Sequence, residues 1–217
     1  MRFFIIAALS LAGITSVSAT TCQNPGIWDE GDFGQTDAGK MPKTANITTG
    51  LGALTRICGN LSDPTNGVDM YEILVTGLFS ATTSGRGANP IADPALFLFD
   101  ETGHALLAND NACGCLQAGL FDVPLLPGLY FLAIAVNDQD PENKNGKLIF
   151  GSGFTGSTGP VLPQVNNTNL DSWSGNGSAT GQYLIDLTGA QFAETPEPAT
   201  LGLIGAGLTL IFVRRRR

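Results

Sequence analysis

Four cysteines are the residues whose chemistry is most constrained by type and spacing: Cys22, Cys58, Cys113 and Cys115. In an oxidising compartment such thiols pair as disulfides, and four of them allow three connectivities. One of these joins the first two and leaves Cys113-Gly114-Cys115 to close a small ring, because glycine permits the tight turn. We interpret that ring as a structural clip, with a redox-active pair as the alternative. Zinc is disfavoured, since the early cysteines are far apart and His104 is the only histidine.

Oxygen-bearing side chains concentrate in two loops, as calcium coordination would require. The candidate ligands are Asp100, Asn109, Asp110 and Asn111 around the loop NDNACGC, and Asp138, Asp140 and Glu142 in the loop NDQDPENKNG. Neither loop is an EF-hand, because Pro141 interrupts the second and the ligand spacing differs in both. Asn and Asp are also common in solvated turns that need no ion. Calcium is therefore a candidate cofactor, and no cofactor is certain.

Signatures of catalysis are sparse. The stretch GSGFTG, at 151–156, satisfies GxGxxG, but the loop 157–160 follows it where a dinucleotide site needs a helix. Neither GxSxG nor HExxH occurs, and a lone His104 just after a turn is more typical of a surface or strand residue than of a general base. A carboxylate pair such as Asp138 and Asp140 could still hydrolyse a sugar. We expect no catalytic residues and a protein that is not an enzyme.

Aromatic side chains permit carbohydrate binding as a further interpretation. Trp28, Trp173 or Tyr183 could stack on sugar rings if they were exposed on a concave sheet or loop. Tryptophan is usually substantially buried, so packing in the core is the simpler interpretation of both tryptophans.

The elements that would position these residues are short apolar runs separated by turn residues, and 28 glycines and 12 prolines interrupt most segments in which a helix could form. The clearest predicted strands are VDMYEILVTG, ALFLFDETG, HALLAND, LYFLAIAVND, GKLIF and QYLIDLTG. In the second of these, Leu96 and Leu98 occupy one face while Phe97 and Phe99 occupy the other, so both faces of the strand are expected to be buried. The pattern predicts an all-β fold, a jelly-roll-like β-sandwich of two packed sheets.

The two ends of the chain differ from the body in charge. Residues 20–195 carry six basic and eighteen acidic side chains, a formal charge of −12, which argues against nucleic acid as a partner because phosphate binding needs a basic face. At the start, Arg2, the apolar stretch 3–14 and Val17-Ser18-Ala19 follow the order of a secretory signal peptide. We expect residues 1–19 to be a signal peptide that is cleaved after Ala19, and the chain to be exported.

The C-terminal stretch PEPATLGLIGAGLTLIFVRRRR predicts a single transmembrane helix. Its apolar run of about 15 residues, 199–213, is shorter than the roughly 20 that a spanning helix needs, but arginine stems can snorkel and the bilayer can thin locally. The basic cluster at its end would remain cytoplasmic, so the body would lie outside. That cluster comprises Arg214, Arg215, Arg216 and Arg217.

Pro196-Glu197-Pro198, then an apolar helix, then the terminal arginines resembles the PEP-CTERM sorting signal of Gram-negative bacteria. The resemblance implies recognition by an exosortase, a membrane cysteine enzyme. Carriers of this signal are often encoded with machinery for exopolysaccharide and biofilm matrix. The implied location is an inner-membrane anchored precursor that then reaches the cell surface or the extracellular matrix.

The order GVDMYEILVTG, DPALFLFDETGHALLAND and LPGLYFLAIAV is similar to the bacterial pre-peptidase C-terminal domain, over roughly residues 63–138. The positions that match its pattern are Asp69, Tyr71, Asp100, Gly103, Asn109, Asp110, Gly128 and Tyr130. The resemblance implies a jelly-roll-like sandwich of the kind found beside secreted proteases and in surface proteins, some members of which bind calcium or fibrous substrates. This chain differs in having no attached protease and in carrying the insertion LFSATTSGRGANPIADP.

The predicted organisation is a signal peptide at 1–19, a β-sandwich domain at 20–193 and a sorting signal with its helix and arginine tail at 194–217. We expect an exported, non-catalytic binding or structural protein. Its expected partners are an exosortase-type enzyme, the inner membrane before processing, and exopolysaccharide or a matrix protein. One alternative is a secreted hydrolase accessory or weak glycan-processing enzyme, and another is a stability or targeting module without a ligand.

Overall fold

The structure, a computed structural model, describes residues 22, 25–31, 37–62, 67–112, 114–151, 154, 156–165, 168–175, 177 and 179–194. Within these residues the chain forms eleven strands and a short 3₁₀ helix at Pro42–Thr44. The strands are β1 (Ile27–Asp29), β2 (Asn46–Ile47), β3 (Arg56–Leu61), β4 (Val68–Gly85), β5 (Pro94–Asp100), β6 (Ala105–Asn109), β7 (Gly119–Pro124), β8 (Gly128–Val136), β9 (Asp140–Glu142), β10 (Ser172–Ser174) and β11 (Gly181–Phe192). The predicted all-β class is confirmed for this part of the chain.

No helix among the described residues is long and apolar enough to cross a membrane. The predicted signal peptide and the predicted transmembrane helix at 199–213 both lie outside the described residues.

Strand β4, 18 residues long, organises the larger sheet, whose order is β1-β3-β11-β4-β8-β5-β6. On one edge β4 pairs with β11 between Ile73 and Gly85, and with β2 at Tyr71 and Glu72. On the other edge it pairs first with β8, from Val68 to Val75, and then with β7, from Leu78 to Thr82. One long strand therefore serves two successive groups of partners. Strands β9 and β10 form a separate small sheet.

A bulge in β11 adjusts its pairing with β4. The register shifts between Thr188 and Ala190, and the intervening Gly189 has φ +73°, in the left-handed region that favours glycine. A Cβ on Gly189 would collide with the backbone carbonyl of Leu78 on β4. The two strands thus approach each other closely where the bulge lies.

Hydrophobic cores cover both faces of the β4-β8-β5 sheet, as the pattern of β5 predicts. One core packs on Tyr71, Ile73, Leu96, Leu98, Leu132 and Ile134, together with Trp28, Ile57, Tyr183 and Ile185. The other packs on Met70, Phe97, Phe99 and Ala133, and is closed by Ile149, Phe150, Phe154 and Leu170 from the segment after β9. This second core is rich in ring contacts, with Phe97 5.2 Å from the rings of both Phe154 and Trp173.

Five of the six clearest predicted strands correspond to β4, β5, β6, β8 and β11. The sixth, GKLIF, is wrong: it forms only a bridge between Leu148 and Glu142, and it contributes Ile149 and Phe150 to the second core instead. The stretch interpreted as an insertion, 78–94, begins as the second half of β4. Strands β1, β3 and β7 were not among the predicted strands.

Gly189→Ala is expected to destabilise the fold more than Gly146→Ala. Both residues have a positive φ, but Gly146, at φ +64°, has open space around the position of a Cβ. The backbone penalty common to both is about 1–2 kcal/mol, and Gly189→Ala must also displace the Leu78 carbonyl. Urea unfolding of the two variants measures the difference, and equal losses would show that no steric constraint acts at the bulge.

Candidate functional site

A disulfide anchors the start of the described chain. Cys22 bonds to Cys58 in the middle of β3, with 6.3 Å between their Cα atoms, and both side chains are buried. The sequence allows three connectivities of the four cysteines, and this pairing belongs to the one that joins Cys22 to Cys58. Cys113 lies outside the described residues, so the small ring that would include Cys115 stays a prediction.

Two buried carboxyl groups lie near this disulfide, and Glu30 supplies the first of them. Strand β1 pairs parallel with β3, and Glu30, just after β1, donates its backbone N–H to the Cys58 carbonyl at 2.9 Å. The Glu30 carboxylate accepts from the N–H of Ala38 at 2.6 Å and from the N–H of Asn60 at 3.0 Å. Glu30 therefore ties three separate segments together, although its side chain is almost fully buried.

Asp69 on β4 brings a second buried carboxylate to this place. Its Oδ2 accepts a hydrogen bond from the hydroxyl of Tyr183 on β11 at 2.6 Å, and that hydroxyl lies 2.5 Å from the hydroxyl of Tyr71. All three side chains are fully buried. Gly59 on β3 makes room for them, because a Cβ there would collide with both hydroxyls.

We call the set Glu30, Asp37 and Asp69 the acid trio. One carboxylate oxygen from each lies within 4.8 Å of the others. A cavity of about 330 Å³ opens beside the trio, lined by Asp29, Glu30, Gly31, Asp37, Gly59, Asn60, Ser62, Arg86 and Gln182. Desolvation by burial raises the pKa of Asp69 well above its usual range, and the neighbouring Glu30 charge adds to the rise. Burial likewise raises the pKa of Glu30, against the two backbone hydrogen bonds.

Basic side chains do not neutralise the buried members of the trio. Arg86 reaches the cavity wall but pairs with Asp29, at 3.4 Å, and Arg56 pairs with Asp186 on the neighbouring strand. Among the described residues, no lysine or arginine forms an ion pair with Glu30 or Asp69. The trio therefore brings three carboxyl groups together without a basic partner for its two buried members among the described residues, and Glu30 and Asp37 line the adjoining cavity.

The predicted calcium ligands fall at opposite ends of the β5-β6-β8 sheet. Asp100 ends β5, whereas Asp110 follows β6, which runs antiparallel to β5, so roughly 20 Å of strand separates them. The expected convergence of Asp100 with Asn109, Asp110 and Asn111 does not occur. The Oδ1 atom of Asp100 instead accepts from the N–H groups of Thr102 and His104 and from the Thr102 hydroxyl, which closes the β5-β6 turn.

At the end of the sheet where β6 and β8 finish, the two loops that contain the predicted calcium ligands come together. The negative charges of Asp138 and Asp110 raise the pKa of Asp140 after the larger effect of its burial, and Asp93 contributes in the same way at Asp110. The Oδ1 atoms of Asp93, Asp110 and Asn111 are buried and have no hydrogen-bond partner within the described part of the chain.

Two further predicted ligands in these loops have structural partners. The Asn109 side chain donates a hydrogen bond from its Nδ2 to the Ser157 carbonyl and accepts one from the Gly119 N–H on its Oδ1. Glu142 accepts from the Ser172 hydroxyl on β10 at 3.2 Å. Among the described residues, Asp110, Asp138 and Asp140 are not one of the groups whose ligand oxygens all lie within 4.8 Å of one another, so calcium at these loops stays a prediction.

His104 sits in a hydrogen-bonded group that superficially resembles a catalytic triad. Its Nδ1 lies 2.6 Å from the Thr102 hydroxyl and 3.3 Å from Asp100 Oδ2. In a triad the carboxylate and the nucleophile bind different ring nitrogens, because the base must take the proton of the nucleophile on Nε2. Here both partners face the same nitrogen, which fits a turn better than a reaction centre.

The two tryptophans are packed to different degrees. Trp28 is 1% exposed and lies in the first core, so its ring offers no open face for stacking on a sugar. Trp173 is half-buried, packs edge-on against Phe97 and Phe99, and donates its Nε1–H to the Lys40 carbonyl at 2.7 Å. Tyr183 is fully buried. These contacts are what the core-packing interpretation expects.

Glu30 and Asp37 were not among the site residues predicted from the sequence. Nothing in their spacing marks them, because they meet Asp69 only through the pairing of β1 with β3 and the contact of the segment at 37–39 with β4. That contact includes a hydrogen bond from the Met70 N–H to the Gly39 carbonyl at 3.1 Å. The one available signal was the predicted Cys22–Cys58 pairing, which places this end of the chain on β3.

Comparison with known proteins identifies the C-terminal segment. Residues 194–217 match the PEP-CTERM protein-sorting motif. Proteins with this motif are exported, processed by an exosortase and sorted to the cell surface, and the motif implies the same route for this chain. The match identifies the sorting signal and not the β-domain. No curated protein sequence matches the chain. The motif residues Pro196, Glu197, Pro198 and Arg214 to Arg217 lie outside the described residues.

Replacing both Cys22 and Cys58 by alanine is expected to lower the free energy of unfolding by about 2–4 kcal/mol, because the disulfide restricts the unfolded chain. Urea unfolding under non-reducing conditions measures the loss. The matched control replaces Cys113 and Cys115 by alanine and keeps the disulfide on β3. A double variant at Cys22 and Cys58 that is as stable as the unmodified protein would contradict the prediction.

Tyr183→Phe is expected to cost about 1–3 kcal/mol of stability at neutral pH, because it removes the donor to a buried carboxylate. Tyr71→Phe is the matched control, since its hydroxyl contacts Tyr183 and the Tyr183–Asp69 bond survives. Its cost is expected to be smaller, about 0.5–1.5 kcal/mol. Chemical unfolding of both variants provides the comparison, and a greater loss for Tyr71→Phe would reverse the assigned roles.

Proposed function

We propose that this chain is an exported cell-surface or extracellular-matrix protein whose β-domain binds or supports other matrix components and performs no catalysis. The observation that carries the proposal is the PEP-CTERM motif at residues 194–217. The anchored precursor is held in the inner membrane by the segment 199–213 until an exosortase-type enzyme acts on it. Exopolysaccharide or a matrix protein is the proposed partner of the released body.

Two properties of the body support this location. The Cys22–Cys58 disulfide suits an oxidising compartment outside the cytoplasm. The formal charge of −12 over residues 20–195 suits a soluble extracellular body and a cation-bridged matrix better than contact with nucleic acid. A cleaved signal peptide at 1–19 is part of the same proposal.

The fold proposed for the body is a jelly-roll-like β-sandwich related to the pre-peptidase C-terminal domain. Strand β4 supports it, because its two halves pair with different strands on the edge opposite β11. The turn at Asp100–Gly103 supports it as well: Gly103 has φ +84° and donates its N–H to the Asp100 carbonyl at 2.9 Å. These are the positions where the sequence resembles that family.

The absence of catalysis remains part of the proposal and has two supports. The sole histidine has its Nδ1 engaged by both Thr102 and Asp100. The raised pKa values of Asp110 and Asp140 have desolvation and neighbouring carboxylates as causes, which fits a cation-binding loop as well as an acid catalyst. The buried Oδ1 of Asp110 has no hydrogen-bond partner among the described residues, and this favours a bound cation, so a calcium ion at Asp110, Asp138 and Asp140 is proposed in preference to glycan hydrolysis.

Glu197→Ala is expected to block processing of the precursor. Intact mass and cell fraction of the native protein, measured beside the variant, should show loss of a C-terminal fragment only in the unmodified chain. Glu194→Ala is the matched control, because it removes a glutamate from the same segment and leaves the Pro-Glu-Pro triplet intact. Full-length, membrane-bound product from all three chains would make the tail a plain anchor and remove the exosortase from the proposal.

A further inference from the structure

The acid trio, Glu30, Asp37 and Asp69, holds three carboxylates at a separation that anions do not tolerate without compensation. One oxygen of each lies within 4.8 Å of the others, and two of the three side chains are buried. Like charges at such distances repel strongly where water is excluded. Either protons or a cation must reduce the negative charge in the folded protein.

A second observation points to a ligand. Asp69 is fully buried, yet only its Oδ2 is satisfied, by the Tyr183 hydroxyl. Its Oδ1 has no hydrogen-bond partner among the residues that the structure describes. A buried carboxylate oxygen without a partner carries a desolvation penalty of about 1–3 kcal/mol or more, so native structures rarely leave one unused. A bound cation beside this oxygen would remove the penalty and the repulsion together.

The hydrogen bonds of Glu30 orient its carboxylate but use only part of its capacity to accept hydrogen bonds. Each oxygen accepts one backbone N–H, from Ala38 and from Asn60, whereas an ionised carboxylate has about four lone-pair sites. The remaining lone pairs are free to coordinate. Backbone donors that fix a ligand in this way correspond to the outer-shell contacts that orient carboxylates in metal sites.

We propose that Glu30, Asp37 and Asp69 form a binding site for a divalent cation, and that the ion is calcium. The ligands are all oxygens, which suits a hard cation and not zinc or copper. Calcium takes six to eight oxygens in flexible geometry and accepts bidentate carboxylates and water. The adjoining cavity of about 330 Å³ admits that water and brings in the side chains of Asn60 and Ser62.

This site is distinct from the two loops in which the sequence predicts calcium. Those loops follow β6 and β8, whereas the trio is formed by the segments after β1 and by the start of β4. The segment at 37–39 also contacts β4 through the hydrogen bond from the Met70 N–H to the Gly39 carbonyl, and Ala38 is buried in the first core. Calcium would therefore fasten the early chain to β4, on the same side as the Cys22–Cys58 disulfide, and make the stability of the domain depend on the calcium of its surroundings.

The test is a calcium titration of the full-length protein after chelator treatment, read by calorimetry and by thermal unfolding. We expect a binding event with Kd of about 10⁻⁴–10⁻³ M, the range of extracellular calcium modules, and a rise of the unfolding temperature. Terbium luminescence gives a local readout, because Tyr71 and Tyr183 adjoin Asp69 and can sensitise a lanthanide bound there.

Asp37→Asn is the decisive variant, since the side chain of Asp37 is exposed whereas those of Glu30 and Asp69 are buried. Asp37→Asn is expected to weaken calcium binding at least tenfold, a change of about 1.4 kcal/mol, and Asp69→Asn to abolish it together with the tyrosine-sensitised signal. Asp122→Asn, at an exposed carboxylate on β7, is the matched control and should bind as the unmodified protein does. Asp110→Asn should leave this event in place.

Four results would overturn the proposal. The first is a protein that neither binds calcium nor gains thermal stability from it at millimolar concentration. The second is unchanged binding in both Asp37→Asn and Asp69→Asn. The third is binding that Asp110→Asn removes and Asp37→Asn preserves, which would place the ion in the loops after β6 and β8. A folded Asp69→Asn variant that is stabilised at neutral pH while the unmodified protein ignores calcium would assign the trio to protonation.

Discussion

The pairing of β4 on both edges is the constraint on which the rest of the structure depends. A strand of 18 residues with neighbours on both edges carries N–H and C=O groups on both sides, and those that are shielded from water must find partners. The chain meets this requirement with β11 and β2 on one edge and with β8 and β7 on the other. The acid trio is a consequence of that arrangement, because Asp69 lies on β4, Tyr183 arrives on β11, and β3 brings Gly59 and the disulfide through its own pairing with β11.

The sequence predicts those strands whose apolar character is continuous or alternating, and fails where short-range signals conflict. β5 and β8 have apolar residues on both faces, and the two cores confirm that both faces are buried. β3 contains Gly59-Asn60, which is typical of a turn, yet its pairing with β1 and β11 keeps it extended. GKLIF shows the opposite case, since its apolar residues fill the second core from a segment that has only a bridge, and burial alone does not require a ladder.

Among the candidate sites, too, a contiguous motif can be predicted from the sequence, whereas a cluster of residues that are distant in sequence cannot. The sorting motif is predictable because a processing enzyme reads it as a contiguous segment, and its match at 194–217 confirms it. The loops at Asp110 and Asp138 come together because β6 and β8 end at the same end of the sheet. Once the strands are predicted, the proximity of these two loops can be predicted as well. Glu30, Asp37 and Asp69 are separated in sequence by segments without a periodic pattern, so they meet only through the pairing of β1 with β3 and the contact of the segment at 37–39 with β4.

The central claim is that a disulfide-tied β-domain leaves the cytoplasm by way of its terminal signals. A non-reducing peptide mass map of the native protein tests it most directly, because one measurement reports the first residue of the chain and the oxidation state of its cysteines. The account predicts a chain that begins at Thr20 and a linked peptide pair containing Cys22 and Cys58. A chain that retains residues 1–19 and carries both cysteines as thiols would contradict it.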